Sequence, residues 1–192
     1  MLEKLFGQRS EEQQLLEQTK AGSQAAMAAL YRRYVRYLSA ICSRYVAADE
    51  DVKDVLQEAF LRIFSSIGQF QYQGEGSLRA WMARIVLNES LSFVRRAGRM
   101  SFSELPSDNF DLTDEEPPAA EVPADVLHRF IRELPDGYRT VFNLYVVEER
   151  SHKEIAALLG IKPDTSASQL HKAKQMLAAK VKQYKHANTL PL

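Results

Sequence analysis

The residues with the clearest chemical potential lie between Ser151 and Lys174, where the chain carries the signals of two helices joined by a tight turn. Ser151 and Glu154 have the spacing of a capping box, in which each side chain accepts from the other residue's backbone N–H. Gly160 suits the left-handed end of a helix, and Pro163 suits the first position of the next one. Such a helix-turn-helix is a common way to place a helix in the major groove of DNA.

The same pattern also describes an ordinary αα-hairpin in a helical bundle, so the charge of the segment decides between the two interpretations. Residues 151–187 contain far more basic than acidic side chains. A solvated helix face usually mixes both signs, so this excess favours a polyanionic partner such as nucleic acid. The basic residues are Lys153, Lys162, Lys172, Lys174, Lys180, Lys182 and Lys185, and the acids are Glu154 and Asp164.

Charge is also segregated elsewhere, although 25 basic and 25 acidic residues give the 192-residue chain a formal net charge of zero. Residues 101–125 contain eight acids and no Lys or Arg, whereas Glu89 is the only acid between residues 79 and 99. Segregation of this kind is more informative than the total charge. The basic stretch before residue 100 contains Arg79, Arg84, Arg95, Arg96 and Arg99.

Several classes of protein are excluded by what the sequence lacks. Cys42 is the only cysteine, so we expect no disulfide framework and no thiolate metal site, and we place Cys42 in the core. We find no Gly-rich phosphate loop, metal-ligand cluster or nucleophile–base pair, and therefore expect no enzyme, cofactor or metal. The absence of a signal peptide and of an apolar run near 20 residues predicts a cytoplasmic protein with no membrane insertion.

The elements that position these residues are predicted to be helices, because glycine and proline are scarce and apolar residues recur with a helical period. The predicted class is all-α, with two small helical domains joined by an acidic flexible linker. The predicted domains are residues 1–100 and 125–192, and the linker is 101–124, where acids and prolines leave too few apolar residues for a core. The predicted helices cover about 11–21, 23–46, 49 onward, 78–97, 126–134 and 141–147, followed by the helix-turn-helix, with a glycine-containing loop at 69–77.

Hydrophobic stripes predict which helix faces are buried. In the second helix the stripe is Ala26, Leu30, Tyr34, Tyr37 or Leu38, and Ile41, and in the third it is Val52, Val55, Leu56, Ala59, Phe60 and Ile63. In the fourth helix Trp81, Ile85, Asn88 or Glu89, and Ser92 share one side, and in the last helix the apolar seam is Leu170, Ala173, Leu177 and Val181.

In this order and spacing, the segments resemble the group IV, or extracytoplasmic-function (ECF), sigma factors of the sigma-70 family of bacterial RNA polymerase. Residues 51–62, DVKDVLQEAFLR, are similar to region 2.2, and residues 79–88, RAWMARIVLN, with Arg95 and Arg96, are similar to regions 2.3 and 2.4. Residues 134–142, 151–160 and 165–174 are similar to region 4. The resemblance covers almost the whole chain.

The resemblance implies core RNA polymerase and promoter DNA as partners, with an anti-sigma factor as a further possible partner, and assigns residues to each contact. The expected core-polymerase-binding residues are Asp51, Asp54, Gln57, Glu58 and Arg62, docking on the clamp helices of the largest subunit. The expected −10 residues are Phe70, Tyr72, Arg84, Asn88, Arg95 and Arg96, of which Phe70 and Asn88 line a pocket for a flipped base. The expected −35 residues are Thr165, Ser168, Gln169, His171, Lys172 and Lys174.

Two details follow from these assignments. Relatives often carry arginine at the positions of Ala167 and Gln169, and glutamine favours adenine where arginine favours guanine, so we hypothesise a different −35 preference. The linker must span about 70 Å of DNA between the promoter elements, and about 24 extended residues reach roughly 80 Å. Its acids are repelled by DNA, and the resemblance implies a path through the active-site cleft and RNA exit channel of the polymerase.

Two other functions remain open at the level of sequence. A conventional helix-turn-helix regulator that binds DNA alone accounts for residues 151–187 but leaves the acidic helix and the loop at 69–77 without a purpose. A helical adaptor without a DNA role accounts for neither basic segment.

Overall fold

The computed structural model describes residues 10–96 and 122–189, and all regular structure within those ranges is helical, which confirms the all-α class. Arg99 and residues 101–121 of the predicted linker lie outside the described residues. The helices are α1 (Glu11–Lys20), α2 (Gln24–Cys42), α3 (Asp49–Ser66), α4 (Ser77–Arg96), α5 (Ala124–Arg132), α6 (Asp136–Phe142), α7 (His152–Leu159) and α8 (Pro163–Thr189). A 3₁₀ turn, Ile67–Gln69, follows α3, and a π-helical turn, Asn143–Val147, follows α6.

The described chain forms two compact units. The first contains the residues up to Cys42 together with Ala48–Ser90, and the second contains Ser43–Ala47 and the residues from Leu91 onward. This division assigns the end of α4 and the α2–α3 connection to the second unit, and the domain boundaries expected from the sequence stay a prediction.

The core of the first unit uses the stripes expected for α2 and α3. All six residues of the predicted α3 stripe are buried, as are Ala26, Leu30, Tyr34, Leu38 and Ile41 in α2. Tyr37 is not part of this core, because it is 41% exposed and the Arg79 guanidinium lies 5.2 Å from its ring centroid. Cys42 is buried as expected, and burial raises the pKa of its thiol. The prediction that α2 continues to Val46 is wrong, since the helix ends at Cys42.

The buried stripe of α4 differs from the side that the sequence grouped together. Leu78, Met82, Val86 and Ser90 face the core, one residue further along the helix than Trp81 and its companions. Ser90 satisfies its hydroxyl by donating to the carbonyl oxygen of Val86 at 2.7 Å, so a polar residue fits this buried position. Trp81 is consequently half-buried at the edge of the unit and available to a neighbouring ring.

The core of the second unit forms between α5, α6 and α8. Three residues of the predicted α8 seam, Ala173, Leu177 and Val181, are buried there with Phe130, Leu134 and Tyr138. The fourth, Leu170, is also buried. The helix α6 begins directly after Pro135, earlier than the predicted start near Val141. Arg139 is buried, and its guanidinium donates to the carbonyls of Arg132 and Leu134 at 3.0 and 2.9 Å and pairs with Asp136. Proline and a charged side chain together therefore set the α5–α6 corner.

The helix-turn-helix is punctuated as its sequence predicts. The Ser151 hydroxyl accepts from the Glu154 N–H at 3.3 Å, and the Glu154 carboxylate accepts from the Ser151 N–H at 2.9 Å. The bond from the Ser151 N–H, and a second one that the Ser151 hydroxyl donates to the same carboxylate at 2.8 Å, lower the pKa of the Glu154 carboxyl because they favour its charged form. Gly160 is left-handed at φ +70°, and α8 begins at Pro163. The capping box and the glycine end of α7 are thus confirmed.

The predicted helix at 141–147 is only partly α-helical, because α6 ends at Phe142 and a π-helical turn, which the sequence did not predict, follows it. The Glu148 N–H donates to the Asn143 carbonyl oxygen at 3.1 Å, which is the i to i+5 bond of a π-helical turn. Glu149 then adopts a left-handed conformation at φ +53°. Three apolar side chains in this turn are exposed, namely Tyr145, Val146 and Val147.

Candidate nucleic-acid interface

The loop between the 3₁₀ turn and α4 presents two aromatic rings at one end of that helix. Phe70 is half-buried, and its ring centroid lies 5.0 Å from that of Trp81 at an interplanar angle of 36°. The Tyr72 hydroxyl lies 2.8 Å from the Ser10 hydroxyl oxygen. Partly exposed rings of this kind offer surfaces on which unpaired bases stack.

An exposed polar stripe on α4 starts beside these rings. Trp81, Arg84, Asn88 and Arg95 are spaced by three, four and seven residues, so they share one face of the helix. Arg84, Asn88, Arg95 and Arg96 are all exposed, as binding to DNA requires. Guanidinium groups contact phosphates well, and an amide can donate to and accept from a base edge. The face therefore combines groups for a nucleic-acid backbone with one group for a base.

The loop is held in place by α1, which the sequence analysis did not connect to any site. The Lys20 ammonium donates to the Phe70 carbonyl oxygen at 2.8 Å. The Glu12 carboxylate accepts from the N–H groups of Gly76 and Leu78 at 2.6 and 3.1 Å. More than 60 residues separate Glu12 from these partners, so no local sequence pattern reveals the contact.

The acidic face of α3 is a second candidate surface. Asp54, Gln57 and Glu58 are exposed, which places their polar groups where a protein partner can reach them, and Asp51 is half-buried beside them. Leu61 lies one turn beyond Gln57 and Glu58 and is 65% exposed, so an apolar side chain sits among these charges. Sequence reasoning missed Leu61, although its place outside the buried stripe of α3 was a usable signal.

Arg62, the fifth residue expected on this surface, has a contact inside the unit. Its guanidinium lies 2.5 Å from the carboxylate of Glu89 on α4, whose side chain is 11% exposed. A nearly buried carboxylate needs such a partner, because an unpaired buried charge is costly. Arg62 therefore links α3 to α4, and 65% of its side chain remains exposed at the edge of the acidic face.

The exposed face of α8 carries most of the residues expected to meet the −35 element. Ser168, His171 and Lys174 are exposed on one stripe, and Thr165 and Lys172 are half-buried beside it. The Ser168 hydroxyl donates to the Thr165 carbonyl oxygen at 3.0 Å. The face thus offers hydroxyl, imidazole and ammonium groups on a regular helix.

Gln169 corrects the expectation for this helix, because it is only 6% exposed. It lies three residues after buried Ser166 and four before buried Ala173, so it belongs to the inward stripe of α8. Its side-chain oxygen has no hydrogen-bond partner among the described residues. In this structure Gln169 does not present its amide to a DNA base, and the −35 preference inferred from it loses its geometric basis.

The joint between α7 and α8 is fixed by a histidine. The Nδ1 atom of His152 lies 3.0 Å from the buried hydroxyl oxygen of Ser166. The other side of the ring stacks on Tyr145, with centroids 4.7 Å apart and planes 22° apart. These two contacts therefore connect the first residue of α7 to the π-helical turn that precedes it and to α8.

The described residues contain no group of three or more His, Cys, Asp or Glu side chains that could hold a metal ion. In the same two ranges, no helix combines the length and the apolar character of a membrane span.

Comparison with known families matches both units. The model for sigma-70 region 2 matches residues 30–100, and the model for sigma-70, region 4 matches residues 124–177. Comparison with solved structures finds similarity to CnrH in complex with the cytosolic domain of CnrY and to the sigma factor RpoE in complex with the anti-sigma factor NepR from Bartonella quintana. CnrH gives a TM-score of 0.45 at 24% identity, covering 88% of this chain and 96% of that one. RpoE gives a TM-score of 0.47 at 18% identity, covering 81% of this chain and 96% of that one.

Curated relatives carry related names. The ECF RNA polymerase sigma factor SigE of Mycolicibacterium smegmatis is 32% identical over 164 residues, which are 81% of this chain and 63% of that protein. The ECF RNA polymerase sigma-E factors of Haemophilus influenzae and Escherichia coli K12 are each 28% identical over 182 residues, which are 88% of this chain. The chain thus spans slightly less than two thirds of SigE but 95% and 94% of the two sigma-E factors. Because both sigma-70 regions occur in one chain in this order, the protein belongs to the sigma-70 family, among its ECF sigma factors.

Proposed function

We propose that this protein binds core RNA polymerase and directs promoter recognition and DNA melting at the start of transcription. The observation that carries the proposal is the match of two successive sigma-70 regions to a chain in which each unit exposes a polar helix face. The protein itself supplies no catalytic group and takes no cofactor. Its place of action is the cytoplasm, where core polymerase transcribes.

The loop and α4 form the contact with the −10 element. Phe70 and Tyr72 receive bases that leave the duplex, and Asn88 contacts a base edge. Arg84, Arg95 and Arg96 hold the phosphates of the unpaired strand. Extruding a base costs a few kcal/mol, and stacking and phosphate contacts recover this cost.

The face of α3 forms the contact with the polymerase. Asp51, Asp54, Gln57 and Glu58 set the charge of the surface, and Leu61 supplies apolar area that a polar rim surrounds. Arg62 contributes from the edge of the face while it remains paired with Glu89. Charged rims of this kind accelerate and orient docking more than they add to affinity.

The outer face of α8 forms the contact with the −35 element. Ser168 and His171 lie where a recognition helix meets base edges, and Thr165, Lys172 and Lys174 contact phosphates. Gln169 has no part in this contact in the conformation described. An anti-sigma partner stays an expectation from the family for this chain.

Reconstitution with core polymerase tests the proposal. The full chain should co-elute with core polymerase and support transcription from supercoiled plasmids that carry randomised −35 and −10 elements. Glu58→Lys on the α3 face should weaken the complex about tenfold. Glu17→Lys, which is exposed on α1, makes the same charge change away from that face and should bind like the wild type.

The two competing functions give different outcomes. Sequence-specific duplex binding by the free chain, with no affinity for core polymerase, would identify a conventional helix-turn-helix regulator. Absence of any salt-dependent DNA binding, with or without polymerase, would identify a helical adaptor.

A further inference from the structure

Glu12 is a buried carboxylate on α1 that holds the loop before α4 but takes no direct part in the proposed contacts with DNA or polymerase. It is 3% exposed on the inner side of α1, whereas the neighbouring Glu11 side chain is 90% exposed. An ionised carboxylate is costly to bury unless hydrogen bonds replace its water. Both oxygens of Glu12 have such bonds, since Oε2 accepts from the Gly76 N–H and Oε1 accepts from the Leu78 N–H.

These two donors lie where the loop becomes α4, which begins at Ser77. The first N–H groups of a helix have no partner within it, and the positive end of the helix dipole favours a negative charge there. Glu12 therefore serves α4 as a capping side chain normally does, but from a different helix. It fixes the position of the loop's last residues relative to α1.

The other end of the loop is attached to the same helix. Lys20, the last residue of α1, donates to the Phe70 carbonyl oxygen at 2.8 Å. Ser10, which caps α1, lies 2.8 Å from the Tyr72 hydroxyl. Three side chains of one helix region thus hold both aromatic residues and the final glycine of the loop.

The loop needs such external support because its own backbone is permissive. Gly74 and Gly76 have φ values of +115° and +84°, and glycine at positive φ loses more conformational freedom on ordering than other residues do. Locally, the end of the loop is supported by Ser77, whose hydroxyl donates to the Gly74 carbonyl oxygen at 2.6 Å and accepts from the Gln73 N–H at 3.2 Å. When the loop is already ordered before binding, the entropic cost of ordering it no longer reduces the affinity for the ligand.

We propose that Glu12 is a positioning residue for capture of the unpaired −10 strand, acting by holding the loop that carries Phe70 and Tyr72. The inference rests on the proposed role of that loop in the sigma factor. Glu12 touches no DNA. Its removal should therefore weaken binding of the unpaired strand while contacts with polymerase and with the −35 duplex remain intact.

The test compares Glu12→Gln with Glu11→Gln in the complex of the full chain with core polymerase. Glutamine keeps the shape of the side chain, but its NH₂ group faces one of the two backbone donors and cannot accept from it. The probe is a fluorescent single-stranded oligonucleotide that the wild-type complex has selected from a random pool. Glu12→Gln should bind it about tenfold more weakly, since a lost bond leaves a buried donor unsatisfied. Glu11→Gln should bind like the wild type.

A second readout separates positioning from general loss of stability. In Glu12→Gln the amide protons of Gly76 and Leu78 should exchange with solvent faster, whereas amides in the middle of α3 should keep their protection. Affinity for core polymerase and for a −35 duplex should be unchanged in both variants. Equal loss of protection in α3 and in the loop would assign Glu12 a merely structural role and overturn the inference.

The inference and the proposed function fail in different ways. If the wild-type complex selects no strand at all, the proposed function is wrong. If it selects a strand that Glu12→Gln binds as well as Glu11→Gln does, only the inference is wrong. Should Glu12→Gln not fold, Lys20→Met removes the bond to the Phe70 carbonyl instead; a several-fold loss of strand binding supports the inference, and unchanged binding overturns it.

Discussion

The two surfaces proposed to contact promoter DNA depend on different kinds of support, one from residues nearby in the sequence and the other from residues far away in it. The outer face of α8 belongs to a regular helix that follows a turn set by nearby residues, since Ser151 caps the start of α7, Gly160 ends α7, and Pro163 begins α8. The loop from Phe70 to Gly76 is irregular and is held by residues of α1 that lie 50 or more positions away in the sequence. A surface that meets an intact duplex can be preformed by local structure, whereas a pocket for an unpaired strand needs support from elsewhere in the fold.

The largest effect is expected from the aromatic ring of the loop. Phe70→Ala should reduce binding of the unpaired −10 strand by about tenfold to a hundredfold, because base stacking on an aromatic ring is worth 1–3 kcal/mol. Phe70→Tyr keeps the ring and should retain most of the binding. The measurement is the affinity of the complex with core polymerase for the unpaired −10 strand. Equal affinities for the wild type, Phe70→Ala and Phe70→Tyr would exclude Phe70 from the pocket.

On the outer face of α8, we predict a loss of DNA affinity that does not depend on the DNA sequence. Lys174→Ala should weaken binding to every −35 duplex by a similar factor and reduce the slope of log affinity against log salt by about one, as for one lost phosphate contact. Lys182→Ala, eight residues further along α8, is the control. If Lys174→Ala changed the preferred sequence instead, the lysine would be contacting a base.

The local support of the helix-turn-helix can be removed by a single substitution. Ser151→Ala should lower the free energy of unfolding by about 1 kcal/mol, because it leaves the Glu154 N–H without its cap. Ser151→Asp supplies another acceptor and should recover most of the loss. Urea unfolding followed by circular dichroism measures both variants, and a neutral alanine would show that water replaces the cap without cost.

A smaller gain is expected at the end of the π-helical turn. Glu149 has φ +53°, a conformation that costs a residue with a Cβ about 1 kcal/mol or more, so Glu149→Gly relieves it. The greater freedom of glycine in the unfolded chain offsets part of this, and a net gain of about 0.5 kcal/mol remains. Glu148→Gly, at φ −94°, should instead destabilise the protein. If Glu149→Gly had a lower free energy of unfolding than Glu148→Gly, the backbone strain at Glu149 would be contradicted.

The smallest effect concerns pH. The pKa of Glu154 is lower in the folded protein, chiefly because its carboxylate accepts from the Ser151 backbone and side chain, so its contribution to stability is present above the unfolded pKa near 4.5. That contribution is lost as the pH falls through the folded pKa. The stability difference between wild type and Glu154→Gln should therefore be visible at pH 7 and vanish near pH 2. A difference that persists at pH 2 would show that the carboxylate charge is irrelevant.

The sequence predicted those parts of the structure that depend on neighbours within one or two helical turns. The stripes of α3 and α8 and the capping box are of this kind, because a helix repeats its face every few residues. The fourth helix was placed correctly, but its buried face was not, since Ser90 is buried and Trp81 is only half-buried. Polar residues whose hydrogen bonds are satisfied inside a core do not follow a hydrophobic pattern.

The candidate sites divide along the same line. The exposure of Asp54, Glu58 and Lys174 follows from helix periodicity and was predictable. The burial of Gln169 was not, because it depends on how α8 packs and not on the polarity of the side chain. By residue type, Glu12 is expected on a solvent-exposed helix face, and only its distant partners Gly76 and Leu78 explain why it is buried.

The π-helical turn after α6 has a consequence for how such chains can change length. A turn with i to i+5 bonding holds about one more residue than an α-helical turn. Loss of one residue from Asn143–Val147 would let this turn close with i to i+4 bonds, so that the chain entering α7 keeps nearly the same direction. A single deletion in this stretch should therefore be better tolerated than one inside α7 or α8, where it would rotate all following residues of the helix by about 100°.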